Sequence, residues 1–221
     1  MNVLVISVHP DDETLGCGGT ILKHKNSNDA VFWLILTQAS ENLGYSKEFL
    51  LNRASQITEI SNEYNFNKTF NLGFPTTKLH AIEFSEIITK ISSVIQEVKP
   101  EVIYMVNRSD IHTDHQVAAK AIMSSTKSFR NQFIKRILMY ECISETEIAP
   151  PLPENTFVAH VYSDISDYID RKIEIMKKYE SELQDTPLPR SIENIRALAR
   201  FRGATVSVQY AEAFMLLREV F

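Results

Sequence analysis

The stretch at 9–13, HPDDE, places a histidine and three acids directly behind the apolar run VLVISV at 3–8. An apolar run of this kind is expected to be buried, so the polar residues that follow it lie at the boundary of the core. Carboxylates enclosed so closely repel one another and lose hydration. A divalent cation offsets this repulsion and lowers the carboxylate pKa values. The stretch therefore indicates a metal site.

A second polar stretch, NRSDIHTDH at 107–115, supplies further candidate ligands. His9 and Asp12 are close enough in sequence to reach one ion across a tight turn, and His115 can add a third ligand. Two neutral imidazoles and one carboxylate leave an open position on Zn²⁺, which is the pattern of catalytic zinc. The same set also suits Fe²⁺ or another divalent ion.

Two residues beside these ligands are candidates for catalysis. Asp11 is not needed as a ligand and suits a general base that takes a proton from water activated by the metal. His112, as an imidazolium, could stabilise an oxyanion or protonate a leaving amine. Asp110 or Asp114 could hold the other ring nitrogen of His112 and raise its pKa.

Simpler explanations exist for each stretch taken alone. Acids at 11–13 favour a helix start through the helix dipole, and Glu13 could act there or could support a ligand. The HTDH segment at 112–115 could be a polar loop. The coincidence of both stretches behind strands of one sheet favours the metal site.

Two other functions remain open from the residues. A non-haem Fe(II) oxygenase also uses two histidines and one carboxylate, although a β-rich barrel is expected there. A non-catalytic module that binds sugars or nucleotides is the second alternative. A dinucleotide site is disfavoured because GxGxxG is absent, and the glycines at 16, 18 and 19 instead predict close packing of the first helix.

The elements that must position these residues follow from the hydrophobic pattern. Predicted strands lie at 3–8, 31–37, 69–72, 102–106, 136–142 and 157–163. Predicted helices lie at 14–25, 47–64, 84–98, 114–125, 167–183 and 191–201. Strand–helix alternation predicts an α/β fold with a Rossmann-like, doubly wound, mostly parallel sheet and helices on both faces. The two polar stretches then meet at the carboxyl edge of the sheet.

Length and composition predict one domain over 1–221, since 44% hydrophobic residues suffice for a proper core. The net charge of −5 disfavours nucleic acid as a partner. Two distant cysteines without a CxxC motif favour a reducing, cytoplasmic location. No apolar run reaches the roughly 20 residues that span a bilayer, so no membrane association is expected. The sequence leaves both a monomer and a homo-oligomer open.

The chain resembles the PIG-L/LmbE-like family of metal-dependent N-deacetylases. HPDDE at 9–13, Gly-Gly at 18–19 and HTDH at 112–115 carry the resemblance. Weaker similarity lies at Thr37 to Glu41, at Arg53 with Gln56, and in YAEAF at 210–214. The resemblance implies a Rossmann-like fold and zinc-dependent removal of an N-acetyl group from a small-molecule amino sugar, such as an N-acetylglucosaminyl conjugate or a nucleotide sugar.

The resemblance also implies roles at matching positions. They agree with those derived from the residues: metal ligands at His9, Asp12 and His115, the base at Asp11, and the electrostatic catalyst at His112. Arg53 would contact the substrate, or else lie on a solvated helix face. Some relatives carry an assisting tyrosine where this chain has Asp110, so stabilisation of the oxyanion would have to come from His112, the metal or another residue. Tyr210 is a candidate for that contact with the substrate.

Three arginines near the carboxyl end, Arg196, Arg200 and Arg202, form a separate basic group. They could bind the phosphate of a nucleotide sugar or a glycosyl phosphate. A solvated helix end is the alternative explanation.

Overall fold

A seven-stranded sheet lies at the centre of the computed structural model, which describes residues 1–221. Its strands are β1 (Asn2–Ser7), β2 (Ala30–Gln38), β3 (Lys68–Pro75), β4 (Val102–Val106), β5 (Arg136–Tyr140), β6 (Val161–Asp164) and β7 (Ala211–Glu219). The strand order is β3-β2-β1-β4-β5-β7-β6. Strands β1 to β5 are parallel, whereas β7 is antiparallel to both β5 and β6.

Six α-helices flank the sheet. They are α1 (Asp12–Asn26), α2 (Lys47–Glu63), α3 (Phe84–Val98), α4 (Thr113–Ser125), α5 (Ile169–Met176) and α6 (Ile192–Thr205). The chain adds β2 and β3 on one side of β1, and then β4 and β5 on the other side. Right-handed crossovers therefore place α1 and α2 on one face of the sheet and α3 and α4 on the other. The predicted fold class is confirmed. No helix has the length and apolar character that crossing a membrane requires.

The β1 strand is central because its side chains are apolar on both faces. It is buried from Val3 to Ser7 and pairs with β2 on one side and β4 on the other. A strand covered on both faces needs a continuous apolar run rather than an alternating one. This burial fixes the carboxyl end of β1, and with it the start of the HPDDE stretch.

One observed strand has no predicted counterpart, and two predicted elements are clearly longer than the observed ones: the strand predicted at 157–163 begins only at Val161, and the helix predicted at 167–183 is also shorter. The strand β7 was not predicted, because it follows α6 without the strand–helix alternation that identified the others. The helix predicted over 167–183 ends at Met176, and turns follow it. Its apolar spacing nevertheless continues to Tyr179, which is fully buried one turn beyond the helix end. Burial of Tyr179 therefore requires the apolar spacing but not a continued helix.

The glycines of α1 confirm the predicted close packing. A Cβ atom on Gly16 would lie 2.1 Å from the Tyr140 ring, and one on Gly19 would lie 2.7 Å from Ile165. The helix is kinked at Cys17, where φ is −146°. The first turn of α1 can thus lie close to β5 while carrying the acidic stretch.

Candidate metal centre

A cavity of about 450 Å³ opens at the carboxyl edge of the parallel strands. The loops that follow β1, β2, β3, β4 and β5 all contribute to its wall, together with α2 and the turns after α5. Both polar stretches of the sequence reach it, through the segment 9–12 and through His112 and His115. The two polar stretches therefore meet at one edge of the sheet, as predicted from the sequence.

His9, Asp12 and His115 form a compact group of possible ligands whose atoms all lie within 4.8 Å of one another. His115 Nε2 lies 3.3 Å from His9 Nδ1 and 3.4 Å from Asp12 Oδ1. His9 Nδ1 lies 4.0 Å from Asp12 Oδ2. Ligands about 2.0–2.1 Å from a tetrahedral zinc ion stand roughly 3.3 Å apart, so these separations fit one ion.

Both histidines of this group are oriented by a buried carboxylate. His115 Nδ1 lies 2.9 Å from Asp110 Oδ2, and His9 Nε2 lies 3.3 Å from Asp114 Oδ2. Each ring can therefore give one N–H to a carboxylate and turn its other nitrogen, as a possible ligand atom, to the centre of the group. The arrangement is the one expected of metal-binding histidines, and it indicates a divalent metal site.

The carboxyl group of Asp12, beside these two histidines, is kept ionised by its surroundings. Its Oδ2 accepts the backbone N–H groups of Val8 and His9, each at 2.9 Å. Burial opposes ionisation of the carboxyl, but the neighbouring His115 and His9 outweigh this effect and lower the pKa of Asp12. Asp12 is thus ready to bind a cation without first losing a proton.

A second group, His9, His112 and Asp114, also brings possible ligand atoms together. Its members are already engaged: His112 Nδ1 accepts the backbone N–H of Asp114 at 3.1 Å. The Asp114 carboxylate accepts the backbone N–H groups of Thr77 and Leu79 at 2.6 and 3.0 Å. The second group therefore supports the first rather than competing with it.

The predicted pairing of His112 with the Asp110 or Asp114 carboxylate is wrong. Those carboxylates hold His115 and His9 instead: Asp110, in the loop before α4, contacts His115, and Asp114, in the first turn of α4, contacts His9. His112 caps α4 through Nδ1, and burial, followed by the neighbouring His9 and His115, lowers its pKa to about 4. The lowered pKa favours a neutral ring over the expected imidazolium, and the Nδ1 acceptor leaves Nε2 as the protonated nitrogen of that neutral form.

Asp11 lines the cavity directly beside Asp12. Burial raises the pKa of Asp11 well above its ordinary value, and the charge of Asp12 adds to the effect, while Arg190 opposes it. Arg190 Nη1 lies 3.2 Å from Asp11 Oδ2. A carboxyl with a raised pKa in a cavity can exchange a proton nearer to neutral pH.

Glu13 lies behind the cavity and is not part of its lining. Its carboxylate is completely buried and accepts the hydroxyl groups of Thr14 and Tyr179. Burial raises the pKa of Glu13 to about 7. Glu13 lies in the first turn of α1 and accepts the N–H of the N-cap residue Asp11, so a helix-start role and a supporting role behind the ligands both fit its position.

The structure places the two predicted substrate contacts in different regions. Arg53 lines the cavity and donates to the carbonyl oxygen of Pro10 at 3.2 Å. Tyr210 is not among the cavity residues. Its ring lies 5.8 and 5.6 Å from the guanidinium groups of Arg196 and Arg200. Tyr210 precedes β7, on the far side of β5 from the cavity, so it lies outside this candidate site.

The three arginines expected to bind phosphate are each engaged by the protein. Arg196 pairs with Asp170, Arg200 donates to a backbone carbonyl, and Arg202 makes two hydrogen bonds to Glu141 at 2.6 and 2.7 Å. Each guanidinium group thus has a partner within the protein, which favours the alternative explanation of a helix end over a phosphate site.

Sequence reasoning missed Arg190, Glu182 and Cys142 at the cavity. Glu182 lies between two cations, because it pairs with both Arg53 and Arg190. The Cys142 Sγ lies 3.5 Å from Asp12 Oδ1, and burial raises the pKa of this thiol. Arg190 and Glu182 belong to turns without a periodic pattern, so no sequence signal identified them. For Cys142, the one signal in the sequence was its position just after β5, because the carboxyl edge of the sheet is where a site is expected.

Comparison with known proteins adds a family and several relatives. A family model described as "PIG-L: GlcNAc-PI de-N-acetylase" matches residues 4–126. The "Probable N-acetyl-alpha-D-glucosaminyl L-malate deacetylase 2" of Bacillus anthracis is 24% identical over 225 residues, covering 96% of this chain and 92% of the relative. The "Diacetylchitobiose deacetylase" of Thermococcus kodakarensis is 25% identical over 228 residues, covering 99% and 84%.

A solved structure supports the same fold. The conserved protein TT1542 from Thermus thermophilus superposes with a TM-score of 0.77 at 26% identity. The match covers 99% of this chain and 96% of that protein. The mixed, mostly parallel sheet described above is therefore shared over the whole chain.

Proposed function

Because the chain belongs to the PIG-L family, we propose that it hydrolyses an N-acetyl group on a small-molecule amino sugar, releasing acetate and a free amine. The observation that carries the proposal is the His9–Asp12–His115 group, with Asp11 beside it in one cavity. A group of possible metal ligands beside a carboxyl with a raised pKa is what amide hydrolysis by activated water requires.

The substrate class follows from the relatives and from the cavity. The curated relatives are named for an N-acetyl-glucosaminyl malate and for diacetylchitobiose, and both names describe acetylated sugar compounds. A cavity of about 450 Å³ lies in the usual range for small-ligand sites. We infer that the substrate is an N-acetylglucosaminyl conjugate whose acetamido group enters this cavity.

We propose zinc as the metal, with His9, Asp12 and His115 as its three protein ligands. Bound there, Zn²⁺ would supply a Lewis acid and lower the pKa of its water to about 7. Two neutral imidazoles and one carboxylate leave a position open for that chemistry. The buried carboxylates of Asp110 and Asp114 keep the two rings in the tautomers that this ligand set needs.

Asp11 and His112 have different tasks: Asp11 transfers the proton, and His112 stabilises the oxyanion. Asp11 takes a proton from the attacking water as the new C–O bond forms on the acetamido carbon. The neutral His112 gives a hydrogen bond from its Nε2–H to the oxyanion of the tetrahedral intermediate and keeps its proton, since its Nδ1 is already an acceptor. Asp11 then returns the proton to the leaving nitrogen as the C–N bond breaks. The oxygen of the water thus enters acetate, and one of its protons is transferred to the amine nitrogen.

We infer a cytoplasmic location for this reaction. Both cysteines, Cys17 and Cys142, are free and buried. Free thiols without disulfides are usual in a reducing compartment.

The proposal is tested by metal analysis combined with an acetate-release assay. The substrates are N-acetylglucosamine, N-acetylglucosaminyl malate, diacetylchitobiose and UDP-N-acetylglucosamine, with Asp11→Ala as the control protein. We expect one zinc ion per chain and acetate release that is lost in the control. Binding of these compounds without turnover would instead support a binding module, and iron-dependent consumption of dioxygen would support an oxygenase.

A further inference from the structure

Asp11 has a backbone conformation that residues other than glycine rarely adopt. Its φ is 135° and its ψ is −31°, immediately before the start of α1. Such a conformation persists only where surrounding contacts hold it, and strained residues of this kind cluster at functional sites. The residue so held is the one that we propose as the general base.

The peptide group between Pro10 and Asp11 is held at both of its polar atoms. Its N–H, on Asp11, donates to Glu13 Oε2 at 3.2 Å. Its carbonyl oxygen, on Pro10, accepts from Arg53 Nη1 at 3.2 Å. Because both bonds act on one planar unit, they fix its rotation, and this rotation sets the direction in which the Asp11 side chain leaves the backbone.

Glu13 is itself fixed by hydroxyl donors. Its Oε1 accepts from Thr14 Oγ1 at 2.7 Å and from the Tyr179 hydroxyl at 2.8 Å. The side chain is 0% exposed and does not line the cavity, so it cannot touch a substrate there. A helix start gains equally from an exposed acid, and burying a carboxylate is costly. Because an exposed acid would serve the helix start equally well, the burial of Glu13 indicates a role beyond stabilising the helix.

We propose that Glu13 is a positioning residue that holds the Pro10–Asp11 peptide and thereby directs the Asp11 carboxylate into the cavity. The inference rests on the proposed function only in naming Asp11 as the base. Asp12 is held separately, by the backbone N–H groups of Val8 and His9. Loss of Glu13 should therefore release Asp11 while leaving the metal ligands in place.

The kinetic test compares Glu13→Met, which leaves no acceptor for the Asp11 N–H, and Tyr179→Phe with wild type. We expect kcat to fall by about 10²-fold in Glu13→Met and by less in Tyr179→Phe, with KM and zinc content unchanged, because misplacing a reacting group has this order of effect. Tyr104→Phe is the matched control, since its buried hydroxyl contacts His24 rather than the site. If Glu13→Met does not fold, Tyr179→Phe carries the test. Wild-type kcat in the folded variants would overturn the proposal.

A second measurement needs no substrate. Asp11→Gly and Asp11→Ala both remove the carboxylate, but glycine accepts a φ of 135° without strain. We expect Asp11→Gly to melt several degrees above Asp11→Ala, and this difference to shrink when Glu13→Met is added. An undiminished difference in the Glu13→Met background would overturn the proposal, because the strained conformation would then persist without the Glu13 carboxylate. Because no turnover is measured, this result is independent of whether the proposed deacetylation is correct.

Discussion

His115 and Asp110 are joined by a buried hydrogen bond, with Nδ1 of the ring 2.9 Å from Oδ2 of the carboxylate. Asp110 is fixed in turn by the side chains of Asn107 and Thr146, at 3.0 and 2.6 Å. A carboxylate at this nitrogen favours the tautomer with the proton on Nδ1, in which Nε2 is the nitrogen that can bind a cation. The geometry of the metal group thus depends on a residue outside the proposed ligand set.

The first prediction concerns this bond. Asp110→Asn should weaken zinc binding by about 10- to 100-fold, since an amide is a poorer acceptor and no longer fixes the tautomer of His115. Competition with a chelator of known affinity measures the change. Asp185→Asn, on an exposed turn, is the matched control. Unchanged zinc affinity in Asp110→Asn would mean that the bond has no role in orienting the ring.

The second prediction separates metal binding from catalysis. His115→Ala should lose the metal, because it removes one of three ligands. Asp11→Ala should keep the metal and lose turnover by about 10²–10⁴-fold, the usual contribution of a general base. Zinc content and acetate release are measured on the same preparations. Equal zinc content and equal activity in both variants and wild type would contradict the assigned roles.

The grouping of the candidate ligands could be predicted from the sequence, while their hydrogen-bond partners could not. His9, Asp12 and His115 follow buried parallel strands, and strand ends of one sheet must meet. Which carboxylate faces which ring depends instead on the rotation of α4 and on the loop at 77–79, where two N–H groups hold Asp114. Those features arise from tertiary packing rather than from spacing in the sequence.

The same distinction applies to the fold. Strands β1, β2 and β4 were predictable because each is a continuous apolar run bounded by polar segments. The strand β7 was missed, although its first five residues are buried, because antiparallel pairing with β5 and β6 is decided by long-range contacts. Arg190 was missed for a related reason, since a turn after Pro189 gives no indication of the cavity it faces.

The third prediction concerns His112, which caps α4 and faces the cavity. His112→Asn should retain the helix cap, because asparagine is among the preferred residues at this position. It should remove the ring N–H that we assign to the oxyanion and lower kcat by about 10²–10³-fold. Zinc content and melting temperature serve as controls and should stay near wild type. A fall in zinc content equal to that of His115→Ala would identify His112 as a ligand instead.

The fourth prediction concerns a buried ion pair that supports the kinked helix α1. Lys172 and Glu212 lie 2.7 Å apart, and each side chain is only 4% exposed. Lys172 also donates to the Leu15 carbonyl, and Glu212 accepts the backbone N–H groups of Gly19 and Thr20. The pair therefore satisfies backbone groups that the kink at Cys17 leaves without helical partners.

Lys172→Met should lower the free energy of unfolding by about 3–5 kcal/mol, because it leaves the Glu212 carboxylate buried without its cation. Adding Glu212→Gln should recover part of the loss, since the remaining amide oxygen can still accept one N–H of α1. Urea denaturation measures both changes. Lys68→Met, which breaks a pair whose side chains are 53% and 55% exposed, is the control and should cost less than about 1 kcal/mol. Equal losses for Lys172→Met and Lys68→Met would show that the buried pair has no special part in holding α1.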